Sequence, residues 1–208
     1  MSPPKRKSTA GKRSGSAGRP VGVRIIGGRL RGRKLRYSGD PRTRPMKDRV
    51  REAILNIVGP AVRGKHVVDL FAGTGALGLE ALSRGAAGAT FIEQHYPTAT
   101  DLRGNLADLG VEGVAEVVTA NVFIWFRRRP KLPPTPWLVF CSPPYDFYVD
   151  RAEEMSELLA GLLNSTPPES VFIVEADKRF DFTLLPQPEA WDIRAYPPAI
   201  VGIYRKPT

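Results

Sequence analysis

The chain has 208 residues, 42% of them hydrophobic, enough to bury one α/β core but not comfortably two. A single cysteine, Cys141, excludes an intrachain disulfide and a cysteine-based metal cluster, and no apolar run of about 18 residues is available to span a membrane. The net charge of +10 is uneven: residues 1–51 hold 17 of the 31 Lys and Arg against two acids, Asp40 and Asp48, for +15, while the other 157 residues carry −5.

Residues 1–20 are mostly Ser, Gly, Pro, Lys and Arg. They have too few apolar groups to fold alone and no apolar core for a signal peptide, so a disordered basic tail is expected. Residues 21–26, Gly27-Gly28 and residues 30–37 predict a basic β-hairpin. Residues 46–58 predict a helix opened by Pro45 and closed by Gly59-Pro60, with Val50, Ile54, Ile57 and Val58 on its apolar stripe. Lys47 and Arg51 border that stripe and are expected at a groove edge. Clustered cations on a mildly acidic body imply a polyanionic partner, because phosphates bound by Lys and Arg release counterions. The candidate phosphate contacts are Arg24, Arg29, Arg31, Arg33, Lys34, Arg44, Lys47 and Arg51.

From residue 66 onward, short apolar runs alternate with helical patterns, which predicts a parallel sheet wrapped by helices. The strands are expected at 66–70, 89–93, 115–119, 137–140 and 170–175, and the helices at 76–84, 97–109 and 150–163. Residues 127–136 read as a Pro/Arg-rich loop. Two final strands, 191–196 and 200–205, flank Pro197-Pro198. The expected organisation is a tail over 1–20, a basic extension over 21–60 and one domain over 61–208.

Two motifs carry chemistry. Gly73, Gly75 and Gly78 form G-x-G-x-x-G, and Glu93 lies 20 residues after Gly73, so the dinucleotide fingerprint is formally met. Asp69, at the strand end before the glycines, argues against a pyrophosphate there because like charges repel. A cationic ligand would be attracted instead. S-adenosylmethionine has an ammonium and a sulfonium for Asp69 to face and ribose hydroxyls for Glu93 to hold. Asn121 either contacts the adenine edge, with Val122 beneath the ring, or caps a helix. His95 is expected in a loop rather than in catalysis.

Ser142-Pro143-Pro144-Tyr145 follows the apolar run Trp137-Leu138-Val139-Phe140. An exocyclic base amine is a poor nucleophile because its lone pair is delocalised into the ring. A side-chain oxygen and a fixed carbonyl can localise that pair by accepting the N–H hydrogens. The prolines remove competing donors and stiffen the loop, and Tyr145 can stack on an extruded base. In a doubly wound sheet the fourth strand lies beside the first, which would bring Ser142 next to Gly73 at the topological switch point. Cys141 has no evident His partner and reads as strand packing.

Together with Arg24-Ile25-Ile26-Gly27-Gly28, Arg31-Gly32-Arg33-Lys34-Leu35, Arg44-Pro45, Asp48-Arg49-Val50-Arg51-Glu52 and the run from Gly75 to Ala86, these residues resemble the bacterial 16S ribosomal RNA guanine-N2 methyltransferases of the RsmD type. The resemblance runs from about residue 22 to the C-terminus. It implies a class I, Rossmann-like methyltransferase fold: a seven-stranded, mostly parallel sheet with a C-terminal antiparallel strand. It further implies S-adenosyl-L-methionine as cofactor, no metal, the 2-amino group of one guanine as target, a small-subunit particle as partner, and a cytoplasmic monomer. Carried over by position, Asp69, Phe71, Gly73, Gly75, Glu93, Gln94, Asn121 and Val122 look like cofactor contacts, and Ser142, Pro143, Pro144 and Tyr145 like the catalytic motif. The family usually has Asp where this chain has Ser142, and often a second acid where it has His95. A serine there resembles cytosine-N4 enzymes, which leaves cytosine N4 or adenine N6 as alternative targets, and a degenerate RNA-binding assembly factor as an alternative role.

Overall fold

A computed structural model describes residues 22–40 and 46–208, so the expected tail and the candidate contact Arg44 lie outside the described residues. Seven strands form one sheet: β1 (His66–Asp69), β2 (Gly88–Glu93), β3 (Ala115–Thr119), β4 (Trp137–Cys141), β5 (Val171–Ala176), β6 (Trp191–Tyr196) and β7 (Ala199–Arg205). Their order is β3-β2-β1-β4-β5-β7-β6. The first five run parallel, and β7 is antiparallel to β5 and β6, as the family resemblance implied. Helices α1 (Asp48–Val58), α2 (Ala76–Ser83), α3 (Tyr96–Leu109), α4 (Val122–Arg127), α5 (Phe147–Asp150) and α6 (Ala152–Ser165) complete the chain.

The strands read as apolar runs because both sheet faces are covered. Alternate residues point to opposite faces, so Val67 and Leu138 join one apolar cluster while Val68 and Val139 join the other. The first cluster is filled by α1, α2 and α3 residues such as Ile54, Leu79 and Leu102; the second by Leu158, Leu159 and Leu162 of α6. None of the helices among the described residues is long and apolar enough to cross a membrane.

Three elements differ from the sequence expectation: helices α4 and α5, which are absent from the predicted elements, and the N-terminal hairpin. Helix α4 is a turn-and-a-half of β-branched and aromatic residues that weak helical propensity conceals. Asn121 makes it possible: its Oδ1 accepts from the amides of Phe123 (3.0 Å) and Ile124 (3.3 Å), satisfying donors that a helix start leaves open. The N-terminal hairpin is reduced to one antiparallel bridge, Arg24 to Lys34, with a turn running through Gly27–Gly32 instead of a two-residue Gly-Gly loop.

Besides its own cross-strand bonds, such as the Leu35 amide to the Val23 carbonyl at 2.8 Å, the arm bonds to α2. Glu80, fully buried, accepts the amides of Ile26 and Gly27, both at 2.7 Å. Ser83 Oγ accepts the Leu30 amide at 2.9 Å and donates to the Gly27 carbonyl at 2.5 Å. Gly28 has φ +73° and lies so near the Ser83 carbonyl that a Cβ would sit 2.0 Å from its oxygen, so only glycine fits. Val23, Ile25, Leu30 and Leu35 are thereby buried in the same cluster as Val67 and Leu79.

Candidate active site

The sheet order reverses between β1 and β4, and a crevice at the C-terminal strand ends is expected there. The structure has a cleft of about 780 Å³ at that place. The β1–α2 loop gives it Leu70, Phe71 and Gly73; the end of β2 gives Glu93, Gln94 and His95; the end of β3 gives Asn121, Val122 and Phe123. Opposite stand Ser142, Pro143, Pro144, Tyr145 and Phe147, with Glu175 and Arg179 from the end of β5 and beyond. Lys47 lies at its rim, exposed as the sequence suggested.

Glu93 is the hub of the first wall. Its Oε2 accepts the Gly73 amide at 2.8 Å and its Oε1 the His95 amide at 2.7 Å, which fixes the glycine turn to the tip of β2. Gly73 has φ +52°, a conformation that brings backbone close to a ligand without a side chain in the way. A carboxylate with spare lone pairs, a backbone turn and the apolar Val122 fit the ribose, chain and ring of S-adenosylmethionine. Glu93, Gly73, Phe71, Gln94, Asn121 and Val122 are therefore the residues that would hold it.

Three expectations need correction. Asp69 does not line the cleft: it is 3% exposed, and its Oδ2 accepts the Gly78 amide at 3.2 Å. It ties α2 to β1 from beneath rather than facing a ligand. Gly75 is likewise internal, starting α2 with φ +75°, where a Cβ would fall 2.3 Å from Leu102. Arg51 is fully buried instead of standing at the groove edge. Its guanidinium donates to the Arg24 carbonyl (2.6 Å) and to Asp48 (3.0 Å), and its Nε lies 4.0 Å from Glu80. One helical turn past Lys47 is the face that α2 and the arm close over, so the cation is spent on structure.

Of the two roles the sequence offered Asn121, the cap is present: it caps α4, while its Nδ2 reaches Gln94 Oε1 at 3.3 Å and the residue lines the cleft. His95 sits just before α3 with Nδ1 2.8 Å from Thr98 Oγ1. Cys141 is 1% exposed and its thiol is pushed up to about 12 by burial, which fits packing rather than nucleophilic attack. Arg24, Arg29, Arg31, Arg33 and Lys34 are all exposed. Arg33 donates to the Asp108 carbonyl and Arg24 stands 3.7 Å from Asp48, whereas Arg29, Arg31 and Lys34 have no side-chain partner among the described residues.

The sequence did not reveal Glu175, Arg179, Phe123 or Phe147. Phe71, Phe123 and Phe147 form an aromatic wall with centroids about 6 Å apart, and the Arg151 guanidinium lies 4.1 Å over the Phe123 ring. Arg179 is held by Asp146 at 2.8 Å and Asp177 at 2.9 Å. The signal available for Glu175 was an acid at the end of the otherwise apolar run 171–176.

Burial pushes the Asp69 carboxyl up to about 7; the Gly78 hydrogen bond opposes the rise and the Glu93 charge adds to it. A carboxyl whose folded value exceeds its unfolded 3.8 binds its proton more tightly in the folded state. Its stabilising contribution is therefore greatest below about pH 4 and is lost as pH rises to about 7. Urea midpoints measured across that range should fall less steeply for Asp69→Asn than for the unaltered chain; parallel curves would show that Asp69 ionises normally.

Residues 23–196 match a family described as conserved hypothetical protein 95. The ribosomal RNA small subunit methyltransferase D of Haemophilus influenzae is 36% identical over 171 residues, covering 82% of this chain and 86% of that protein. The Escherichia coli K12 protein of the same name is 46% identical over 124 residues, a match that spans only 60% of its length and 59% of this chain. Among solved structures, a putative methyltransferase, yhhF, from Escherichia coli superposes with a TM-score of 0.74 at 34% identity, covering 89% of this chain and 98% of that one. The sheet order and the cleft at its switch point are those of a class I methyltransferase fold, and the chain belongs to the conserved hypothetical protein 95 family and is related to the small-subunit methyltransferases D.

Proposed function

We propose that this chain transfers the methyl group of S-adenosylmethionine to the 2-amino group of a guanine in small-subunit ribosomal RNA, as a cytoplasmic monomer. The observation that carries the reading is the meeting, in one cleft, of the Glu93-fixed Gly73 turn with Ser142, Pro143, Pro144 and Tyr145. The names of the relatives agree with it. When bound, the cofactor supplies a methyl already activated by its sulfonium. Ser142 Oγ and the Pro143 carbonyl accept the amine hydrogens, the Tyr145 ring flanks the extruded base, and Glu93 fixes the opposite wall. Residues 21–60 serve as the RNA-gripping extension of a catalytic domain over 61–208.

The test is incubation with unmethylated small-subunit particles and methyl-labelled cofactor, followed by mass spectrometry of the nucleosides. N2-methylguanosine is expected. N4-methylcytidine or N6-methyladenosine would move the target to another base, as the serine of Ser142-Pro143-Pro144-Tyr145 allows. Absence of label despite cofactor binding would leave an assembly factor.

For the grip, converting Arg29, Arg31 and Lys34 together to Ala is expected to weaken RNA binding and flatten its salt dependence, by about 0.7 in log-log slope for each phosphate no longer gripped. Filter binding across a salt series reads this out, and an unchanged slope would assign the phosphates to other cations. Deleting the whole arm would not be equivalent, because it would uncover Val23, Ile25, Leu30 and Leu35 of the core.

A further inference from the structure

Ser142 does not act alone in its corner of the cleft. Its hydroxyl donates to Glu175 Oε2, and the Tyr145 hydroxyl donates to Glu175 Oε1 at 2.8 Å. Glu175 comes from β5, which lies beside β4 with Cys141 opposite Val174, so the end of one strand delivers an acid to the loop that follows the other. The carboxylate is 7% exposed and has no ion-pair partner among the described residues; only hydroxyls satisfy its oxygens. Burying a carboxylate without a countercharge disfavours the fold, and such groups concentrate at functional sites.

We infer that Glu175 is the positioning residue that makes Ser142 an acceptor for the base amine, supplying a carboxylate to it from the neighbouring strand. The inference rests on the amino-methyltransferase reading above. A serine hydroxyl can donate or accept. With its hydrogen committed to Glu175, its lone pairs are left for the amine N–H. Donating to the carboxylate also polarises the hydroxyl and raises its acceptor strength, since linked hydrogen bonds strengthen one another. When the amine nitrogen bonds to the methyl carbon, the carbon–sulfur bond breaks and its electron pair stays on sulfur. The nitrogen must then lose one proton. Ser142 Oγ takes it as the hydroxyl proton passes to Glu175 Oε2, and the carboxyl returns it to solvent.

The experiment compares the unaltered chain with Glu175→Gln, Ser142→Asp and the double variant, using kcat and KM on small-subunit particles, cofactor affinity by calorimetry, and melting temperature. Glu175→Gln is expected to lower kcat about ten- to a hundredfold with KM and cofactor affinity within threefold. Ser142→Asp places two carboxylates in contact and should melt lower at neutral pH. Adding Glu175→Gln should restore melting by giving the new acid an amide donor, and should recover most of the turnover. Unchanged kcat in Glu175→Gln, or a double variant no faster than that single one, would overturn the role. A melting loss in Ser142→Asp that Glu175→Gln fails to relieve would overturn the pairing on its own, without any activity measurement. If the unaltered chain labels no particle, the functional reading fails instead, and the melting comparison still decides the pairing.

Discussion

Glu80→Ala is expected to cost the fold about 3–5 kcal/mol, the range for removing one partner from a buried charged network. The carboxylate is fully buried and accepts the Ile26 and Gly27 amides and Arg84 Nε at 3.0 Å. Its loss strands two backbone donors and leaves the Arg51 guanidinium, also fully buried, without the charge that lies 4.0 Å from it. For a chain of this length the loss corresponds to a melting temperature lower by roughly 6–20 °C. Glu80→Gln should fall between the two, because an amide supplies only one acceptor oxygen where three donors converge. Calorimetric melting checks both, and a loss below about 1 kcal/mol would mean that water replaces the carboxylate and the arm is only loosely attached.

Glu93→Ala is expected to weaken S-adenosylmethionine binding about 30- to 1,000-fold, measured by calorimetry. The side chain makes two charge-assisted bonds to the Gly73 and His95 amides, and hydrogen bonds to charged groups contribute about 1.5–3 kcal/mol each. Removing them frees the turn that the ligand must meet and deletes the acceptor proposed for its ribose hydroxyls. A loss of about 2–4 kcal/mol converts to that range of affinity. Global stability should change less than in Glu80→Ala, since Glu93 is only partly buried at the strand tip. Affinity within threefold of the unaltered chain would move the ribose contact elsewhere.

The contrast between these two acids shows what the sequence made legible. Glu93 stood out because its distance from Gly73 belongs to a local strand–loop–helix–strand unit, in which spacing along the chain translates directly into spacing in the fold. Residues 66–69 and 137–141 were equally legible, since strands covered on both faces must be apolar throughout. Glu80 and Glu175 gave little local sign. Their partners, Ile26 and Ser142, are 54 and 33 positions away, and only the strand order and the docking of the arm bring them together. Arg51 misled for the same reason: helical periodicity located its face correctly, but what covers that face comes from elsewhere in the chain. Asp69 was found at the right strand end, yet its short side chain turns under α2, where the free Gly78 amide binds it before any ligand can.

Helix α2 joins the two ends of the molecule's work. It starts at the glycine turn, and within its eight residues it carries Glu80 and Ser83, which clasp the arm. An α-helix has a fixed rise of 1.5 Å and turns about 100° per residue. The basic arm and the cleft are therefore held in register by one covalent ruler, and a single residue inserted between Gly78 and Glu80 would turn the clasp by about 100° away from the arm. On the proposed reading, site selection would become a matter of measured length: which amine reaches Ser142 would depend on its distance from the phosphates held by the arm.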